Sequence, residues 1–160
     1  MSRERLPSTQ ALRLLKANKI AFEAHPYRYV DGGGTAWFAE QVGVDEHLVI
    51  KTLIMEDDKT EPMIVLMHGD AEVSTRALAR HTGAKSVAPC RPAVADRHSG
   101  YQVGGTSPFG TRRAMPVYAQ SSIAGLPRIY INAGSRGLII AMDTADMVRL
   151  LSPEWVDMLR

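Results

Sequence analysis

Between Leu48 and Met67 the chain carries two apolar runs separated by Asp57-Asp58-Lys59-Thr60. The first, Leu48-Val49-Ile50-Lys51-Thr52-Leu53-Ile54-Met55, predicts a strand, and Pro62 to Met67 predicts the strand that returns from the turn. A period of two places Val49, Lys51, Leu53 and Met55 on one face and Leu48, Ile50, Thr52 and Ile54 on the other. Both faces are otherwise apolar, so the strand belongs at the centre of a sheet covered on both sides. Lys51 is the exception within it. A buried ammonium needs an anionic partner, a wet cavity or a lowered pKa. The alternative is a lysine whose stem runs along the strand and whose head reaches solvent.

Around this hairpin the predicted elements are short. A helix is expected from Leu6 to Lys19, with Pro7 near its start and Ser8 or Thr9 able to cap it. Ile20, Phe22 and Ala24 alternate as a strand closed by Pro26, and Thr35 to Val42 reads as a helix. Ser74 caps a helix to His81 that Gly83 stops; Ser86 to Ala88 is a brief strand and Pro92 to His98 a short helix. Tyr101–Val103, Pro116–Ala119, Arg128–Asn132 and Gly137–Met142 read as strands. Asp143 or Thr144 opens a helix to Leu151, and Ser152-Pro153 opens a last one. No repeat or linker divides the chain, so one domain is expected over residues 1–160. Hairpins mixed with short helices, without strict βαβ alternation, indicate an α+β (mixed α/β) fold with a mixed sheet.

Composition removes several classes. The one cysteine, Cys90, excludes an internal disulfide framework and any cysteine-built metal cage. No apolar run has the length of a membrane span, and Met1 to Pro7 has no apolar stretch behind its charges, so a cytoplasmic protein is expected. The net charge of +2 hides a segregation: residues 40–72 sum to −7, whereas residues 73–136 carry nine cations against the single acid Asp96. Such a stretch can build a basic face for a polyanion, and 14 of the 19 basic residues are Arg, suited to bidentate phosphate contacts. There is no G-x-S-x-G, H-E-x-x-H, H-x-E with C-x-x-C, or G-x-x-x-x-G-K-[ST]. His25, His47, His68, His81 and His98 are scattered without ligand spacing, so neither a metal nor another cofactor is expected.

Two small-residue loops are candidates for ligand contact. Gly100 to Gly110 holds four glycines with Thr106, Ser107 and Pro108, and can present backbone groups to a polar ligand or form an ordinary tight turn. Ile131-Asn132-Ala133-Gly134-Ser135-Arg136-Gly137 is a second such loop, or a simple strand connection. Arg112-Arg113 can hold phosphates or solvate a hairpin end. Gly32-Gly33-Gly34 reads better as a flexible loop than as an anion site, and Cys90 better as an inert packed thiol than as a nucleophile.

Lys51-Thr52-Leu53, the ordered glycine motif of 100–110 and Ile131-x-x-Gly134-x-Arg136-Gly137-Leu138 together resemble the YbaK/EbsC family. These are stand-alone relatives of the editing domain of bacterial prolyl-tRNA synthetases, and the likeness is greatest to the branch that deacylates Cys-tRNA(Pro). The resemblance implies a mixed sheet or partly closed barrel of six to seven strands flanked by short helices. It implies trans-editing: hydrolysis of the ester joining a misattached amino acid to the tRNA 3′ adenosine, without a cofactor. The essential lysine then falls on Lys51. The G-x-x-x-P loop falls on Gly104, Gly105, Thr106, Ser107 and Pro108, the aromatic hydroxyl on Tyr27 with His25 beside it, and the last loop on Asn132, Ala133 and Gly134. Arg112, Arg113 and Arg136 are tRNA-contact candidates. The implied partners are the 3′ acceptor end of aminoacyl-tRNA and, as a second candidate, prolyl-tRNA synthetase. A lysine is a poor general base at neutral pH, so the role expected of Lys51 is to bind the 3′-terminal nucleotide or its phosphate and to stabilise negative charge electrostatically.

The chain departs from the cysteinyl branch at two places. The Ser-Gly-Gly common there is Asn132-Ala133-Gly134, and an acid common two residues after the Arg-Gly pair is Ile139. Alternatives to Cys-tRNA(Pro) deacylation are therefore removal of Ala or Ser, or a catalytically weak module that binds tRNA or a synthetase.

Overall fold

In the computed structural model, which describes residues 6–160, the predicted hairpin lies inside one mixed sheet. The elements in chain order are α1 (Gln10–Ala17), β1 (Phe22–Pro26), α2 (Gly34–Val42), β2 (Val49–Asp57), β3 (Pro62–His68), α3 (Thr75–Thr82) and β4 (Val87–Pro89). There follow α4 (Pro92–Ser99), β5 (Val117–Gln120), β6 (Arg128–Ser135), β7 (Leu138–Asp143), α5 (Thr144–Leu151) and β8 (Glu154–Val156). The sheet has eight strands in the order β1-β7-β6-β2-β3-β5-β8, with β4 paired to β2 off this path. β2/β6, β3/β5 and β5/β8 run parallel, and the other pairs run antiparallel. The mixed α/β fold is as expected, with an open sheet whose outer strands are β1 and β8. Met1 to Arg5, part of the segment read for a leader, lie outside the described residues. Among the described residues no helix is long and apolar enough to cross a membrane.

β2 is covered on both faces at its ends. Ile50 and Ile54 join a core with Ile64, Leu66, Ile131 and Ile140, while Met55 packs on the other face with Met63, Val65 and Met67. Val49 packs with Phe38 and Ile139. The helices begin where side chains satisfy first-turn donors. Thr9 Oγ1 accepts from Leu12 N–H, so α1 starts at Gln10 and not at Leu6. The same hydroxyl donates to the Ala133 carbonyl at 2.6 Å, which ties α1 to β6. Ser74 caps α3 through Ala77 N–H, and Gly83 ends it in the left-handed conformation.

Two expected elements are replaced. The helix expected from Ser152-Pro153 is the strand β8: Ser152 turns left-handed at φ 44°, and Glu154–Val156 pair with Tyr118–Gln120. The open edge of β5 outcompetes the local Ser-Pro helix signal because pairing buries Val156 and brings Met158 into the methionine-rich core. Tyr101–Val103 is not a strand. Its N–H groups are satisfied locally, Tyr101 by Ser99 Oγ and Val103 by Asp96 Oδ1, while the Tyr101 ring turns inward and its hydroxyl donates to the Phe109 carbonyl.

Candidate functional site

Along one edge β2 pairs with β3 from Ile50 to Glu56. Its other edge is divided between two short partners. β6 pairs in parallel only at Val49 and Ile50, and β4 only at Met55 to Asp57. The stretch between them opens a gap in the sheet. Cys90 N–H reaches the Ile54 carbonyl at 3.0 Å, and strand alternation then directs the N–H and C=O of Thr52 into the same gap. β6 is deflected by an irregularity in its pairing with β7, where register shifts between Asn132 and Ser135. Gly134 sits in that bulge at φ +93°, with the Tyr101 ring where a Cβ would stand.

A cavity of about 440 Å³ occupies the gap, within the size range of small-molecule sites. Lys51, Thr52, Leu53 and Ile54 form its base, and Asn132 and Ile139 one wall. Tyr27, Tyr29 and Trp37 add aromatic lining, and Pro89, Cys90, Pro92 and Ala95 line it as well. Gly104 and Thr106 come from the glycine loop. Among the described residues no Asp or Glu lines it, and Lys51 is its one cation. Among the described residues no carboxylate lies within ion-pairing distance of Lys51. Lys51 is half-buried and lines this cavity, which takes the place of an anionic partner in accommodating the ammonium.

Sheet register explains the neighbours of Lys51. His25 pairs with Ile139, and Ile139 with Asn132. Continuing the Ile50–Ile131 register by one residue sets Asn132 opposite Lys51. The four residues thus form one row on one face. His25 stands three strands from Lys51, on the order of 14 Å at ordinary strand spacing. It does not line the cavity; its Nε2 is 3.3 Å from Glu23 and its ring meets Tyr130 edge-on.

Of the remaining sequence candidates, Tyr27, Gly104, Thr106 and Asn132 line the cavity, and the others do not. Gly105 packs against the Ser135–Arg136 backbone, and its N–H donates to the Gln102 carbonyl. Ser107 is fully buried with its Oγ accepting from Phe109 N–H, and Pro108 is buried beside it. Ala133 is buried and receives the Thr9 hydroxyl. Arg136 lies near the mouth: its Nε donates to the Val103 carbonyl at 3.0 Å, and its guanidinium stacks 5.1 Å over the Tyr29 ring. Arg112 and Arg113 do not line the cavity, and Arg113 reaches Glu61 at 3.4 Å. Nor do the cations of 73–136 form one ring at the mouth, since Arg76, Arg80 and Lys85 border a separate groove.

The sequence reading gave no site role to Tyr29, Trp37 or Thr52 and favoured a flexible loop for Gly32–Gly34, whose Gly32 and Gly34 line the cavity. Thr52 had a visible signal, a polar break beside Lys51 on an apolar strand; the glycines had one in their place before a helix, but whether they reach the cavity depends on how α2 docks. Val30 and Val103 line the mouth yet are 40% and 43% exposed, an apolar rim contributed by two loops. Burial, with Glu56 nearby, pushes the Cys90 thiol up to about 11, in keeping with an inert thiol. Burial also raises the Tyr27 hydroxyl, which stays protonated at neutral pH.

Elsewhere, His47, His68 and Asp70, dispersed in sequence, bring ligand-type atoms within 4.8 Å of one another. They read as a hydrogen-bonded network. His68 is fully buried, Nδ1 bonds the His47 carbonyl at 2.8 Å, and Nε2 meets the Ser122 hydroxyl at 2.7 Å. His47 stacks on it at 3.8 Å and reaches Asp70 through Nδ1.

Comparison with known proteins identifies the family and matches the fold. Residues 34–150 match the model of the aminoacyl-tRNA editing domain. The chain is 25% identical to "Putative Cys-tRNA(Pro)/Cys-tRNA(Cys) deacylase EbsC" of Enterococcus faecalis (strain ATCC 700802 / V583), across 93% of this chain and 92% of that protein. It is 32% identical over 99 residues to a proline--tRNA ligase of Ligilactobacillus salivarius (strain UCC118), covering 62% of this chain and 17% of the ligase. A solved structure described as "a putative trans-editing enzyme for prolyl tRNA synthetase" superposes with a TM-score of 0.84 over 97% of this chain and 99% of that one, at 17% identity.

Proposed function

Because the chain belongs to the aminoacyl-tRNA editing domain family, we propose that it acts as a trans-editing deacylase, as one domain over residues 1–160. The observation that carries the reading is a cavity of small-molecule size whose single charged lining side chain, among the described residues, is Lys51. Ester hydrolysis places negative charge on the carbonyl oxygen as water adds. An ammonium in a largely apolar site stabilises that charge more strongly than bulk water does. Collapse of the adduct breaks the acyl C–O bond and releases the amino acid and the tRNA 3′ hydroxyl. An aminoacyl ester is labile, so positioning it supplies much of the rate. This suits a site whose cysteine and tyrosine are held protonated and form no nucleophile–base pair.

The substrate we favour is cysteine on tRNA(Pro), on the resemblance and on the printed name of the Enterococcus relative. There the substrate thiol attacks its own ester carbonyl, and tRNA leaves as a thiolactone closes. One observation favours Ala or Ser instead: Asn132 and Ile139, where the chain departs from the cysteinyl branch, both line the cavity. The acceptor end would enter over the apolar rim of Val30 and Val103, with prolyl-tRNA synthetase a candidate second partner.

The test is a panel of Cys-, Ala- and Ser-tRNA(Pro) with wild type and Lys51→Ala. We expect release of free amino acid or thiolactone from at least one substrate, reduced at least a hundredfold in Lys51→Ala with the fold retained. Tight tRNA binding without turnover would instead identify a binding module.

A further inference from the structure

Resting on the deacylase reading, we propose that Thr52 and Asn132 hold the α-amino group of the aminoacyl ester. The argument begins with unsatisfied acceptors. Buried polar atoms are nearly always hydrogen-bonded. Thr52 Oγ1 and Asn132 Oδ1 are both buried and without a partner, and both residues line the cavity.

Their placement follows from the split sheet. Pairing of β2 with β6 ends at Ile50–Ile131, so Thr52 and Asn132 are the first polar residues on either side of the opening. Asn132 projects to the Lys51 face, and Thr52, one residue beyond Lys51, projects to the opposite face. The Thr52 carbonyl lies between them, in the plane of the sheet. The gap is therefore bordered by acceptors above, within and below that plane, a set matched to a group with several N–H donors. Among the described residues the cavity has no acidic side chain to take this role, and Ile139, next to Asn132 in the row, is an apolar lining residue. The amine is thus read by neutral acceptors, which leaves the Lys51 charge uncompensated and available to the carbonyl oxygen.

The experiment compares kcat/KM for Cys-tRNA(Pro) and Ala-tRNA(Pro) with that for the N-acetyl form of each. Wild type is expected to favour the free amine at least tenfold. Thr52→Val and Asn132→Leu should each cut that preference tenfold or more. Thr52→Ser and Asn132→Asp, which keep acceptors in place, should preserve it. A purely structural role would lower both substrates alike and leave the ratio unchanged. An unchanged ratio in both Thr52→Val and Asn132→Leu, or a wild type with no preference, overturns the inference while leaving the deacylase reading intact. Failure of wild type to hydrolyse either free-amine substrate sinks the deacylase reading, and this inference with it.

Discussion

Gly134→Ala probes the bulge that opens the site. Gly134 sits at φ +93°, and a Cβ there would stand 2.6 Å from Tyr101 Cε1, 3.1 Å from its Cδ1 and 3.2 Å from Thr9 Cβ. The obstacle is rigid: Tyr101 is 7% exposed and its hydroxyl is tied to the Phe109 carbonyl. A left-handed backbone costs an L-residue about 1–2 kcal/mol, and forcing a methyl into a packed site costs about 1–3 kcal/mol. The expected loss is about 2–5 kcal/mol, a fall in Tm on the order of 10 °C for a chain of this size. Urea denaturation followed by circular dichroism should show a lower midpoint at unchanged slope. Gly125→Ala, with nothing within 4 Å and an ordinary φ, is the control and should stay within about 0.5 kcal/mol of wild type. In a Tyr101→Leu background the clash is relieved, so Gly134→Ala should cost only the backbone part, about 1–2 kcal/mol. Strict additivity of the two substitutions, or a loss below about 0.5 kcal/mol for Gly134→Ala alone, would refute the reasoning.

Two further predictions concern titration. The Cys90 thiol, pushed up to about 11 by burial and then by Glu56, should react with iodoacetamide at pH 7.5 at least tenfold more slowly than free cysteine; parity with free cysteine would contradict it. Burial lowers the pKa of His68, opposed by its bond to the His47 carbonyl and accompanied by repulsion from His47, so the folded state holds it neutral. Its contribution to stability is full above the unfolded value of about 6.5 and declines as pH falls through that value, because the unfolded chain then binds the extra proton. An NMR titration should place the His68 midpoint below about 6.5, and a midpoint above that value would reverse the sign.

The local elements were legible because their causes are local. Ser74 and Gly83 bracket α3 as expected, and the turn at Asp57–Thr60 joins β2 to β3. β8 and the Tyr101–Val103 loop were not legible. One depended on the unpaired edge of β5, the other on a tyrosine whose best partner was a carbonyl eight residues on. The site divides in the same way. Lys51 stood out from strand periodicity, and Tyr27, Gly104, Thr106 and Asn132, named from the resemblance, line the cavity. Gly105, Ser107 and Pro108 do not line it, a distinction that motif order cannot make.

Read alone, the apolar run from Leu48 to Met55 determined that a lysine would lie in the middle of a covered strand, since side-chain alternation is a property of the strand itself. What becomes of that strand's second edge is not. Only the tertiary structure decided that β6 and β4 would share it and leave Thr52 facing a gap, because edge pairing depends on residues far apart in the chain and on a glycine bulge packed against Tyr101. The lysine was written in the local sequence, and the cavity that accommodates it came from the failure of two distant strands to meet.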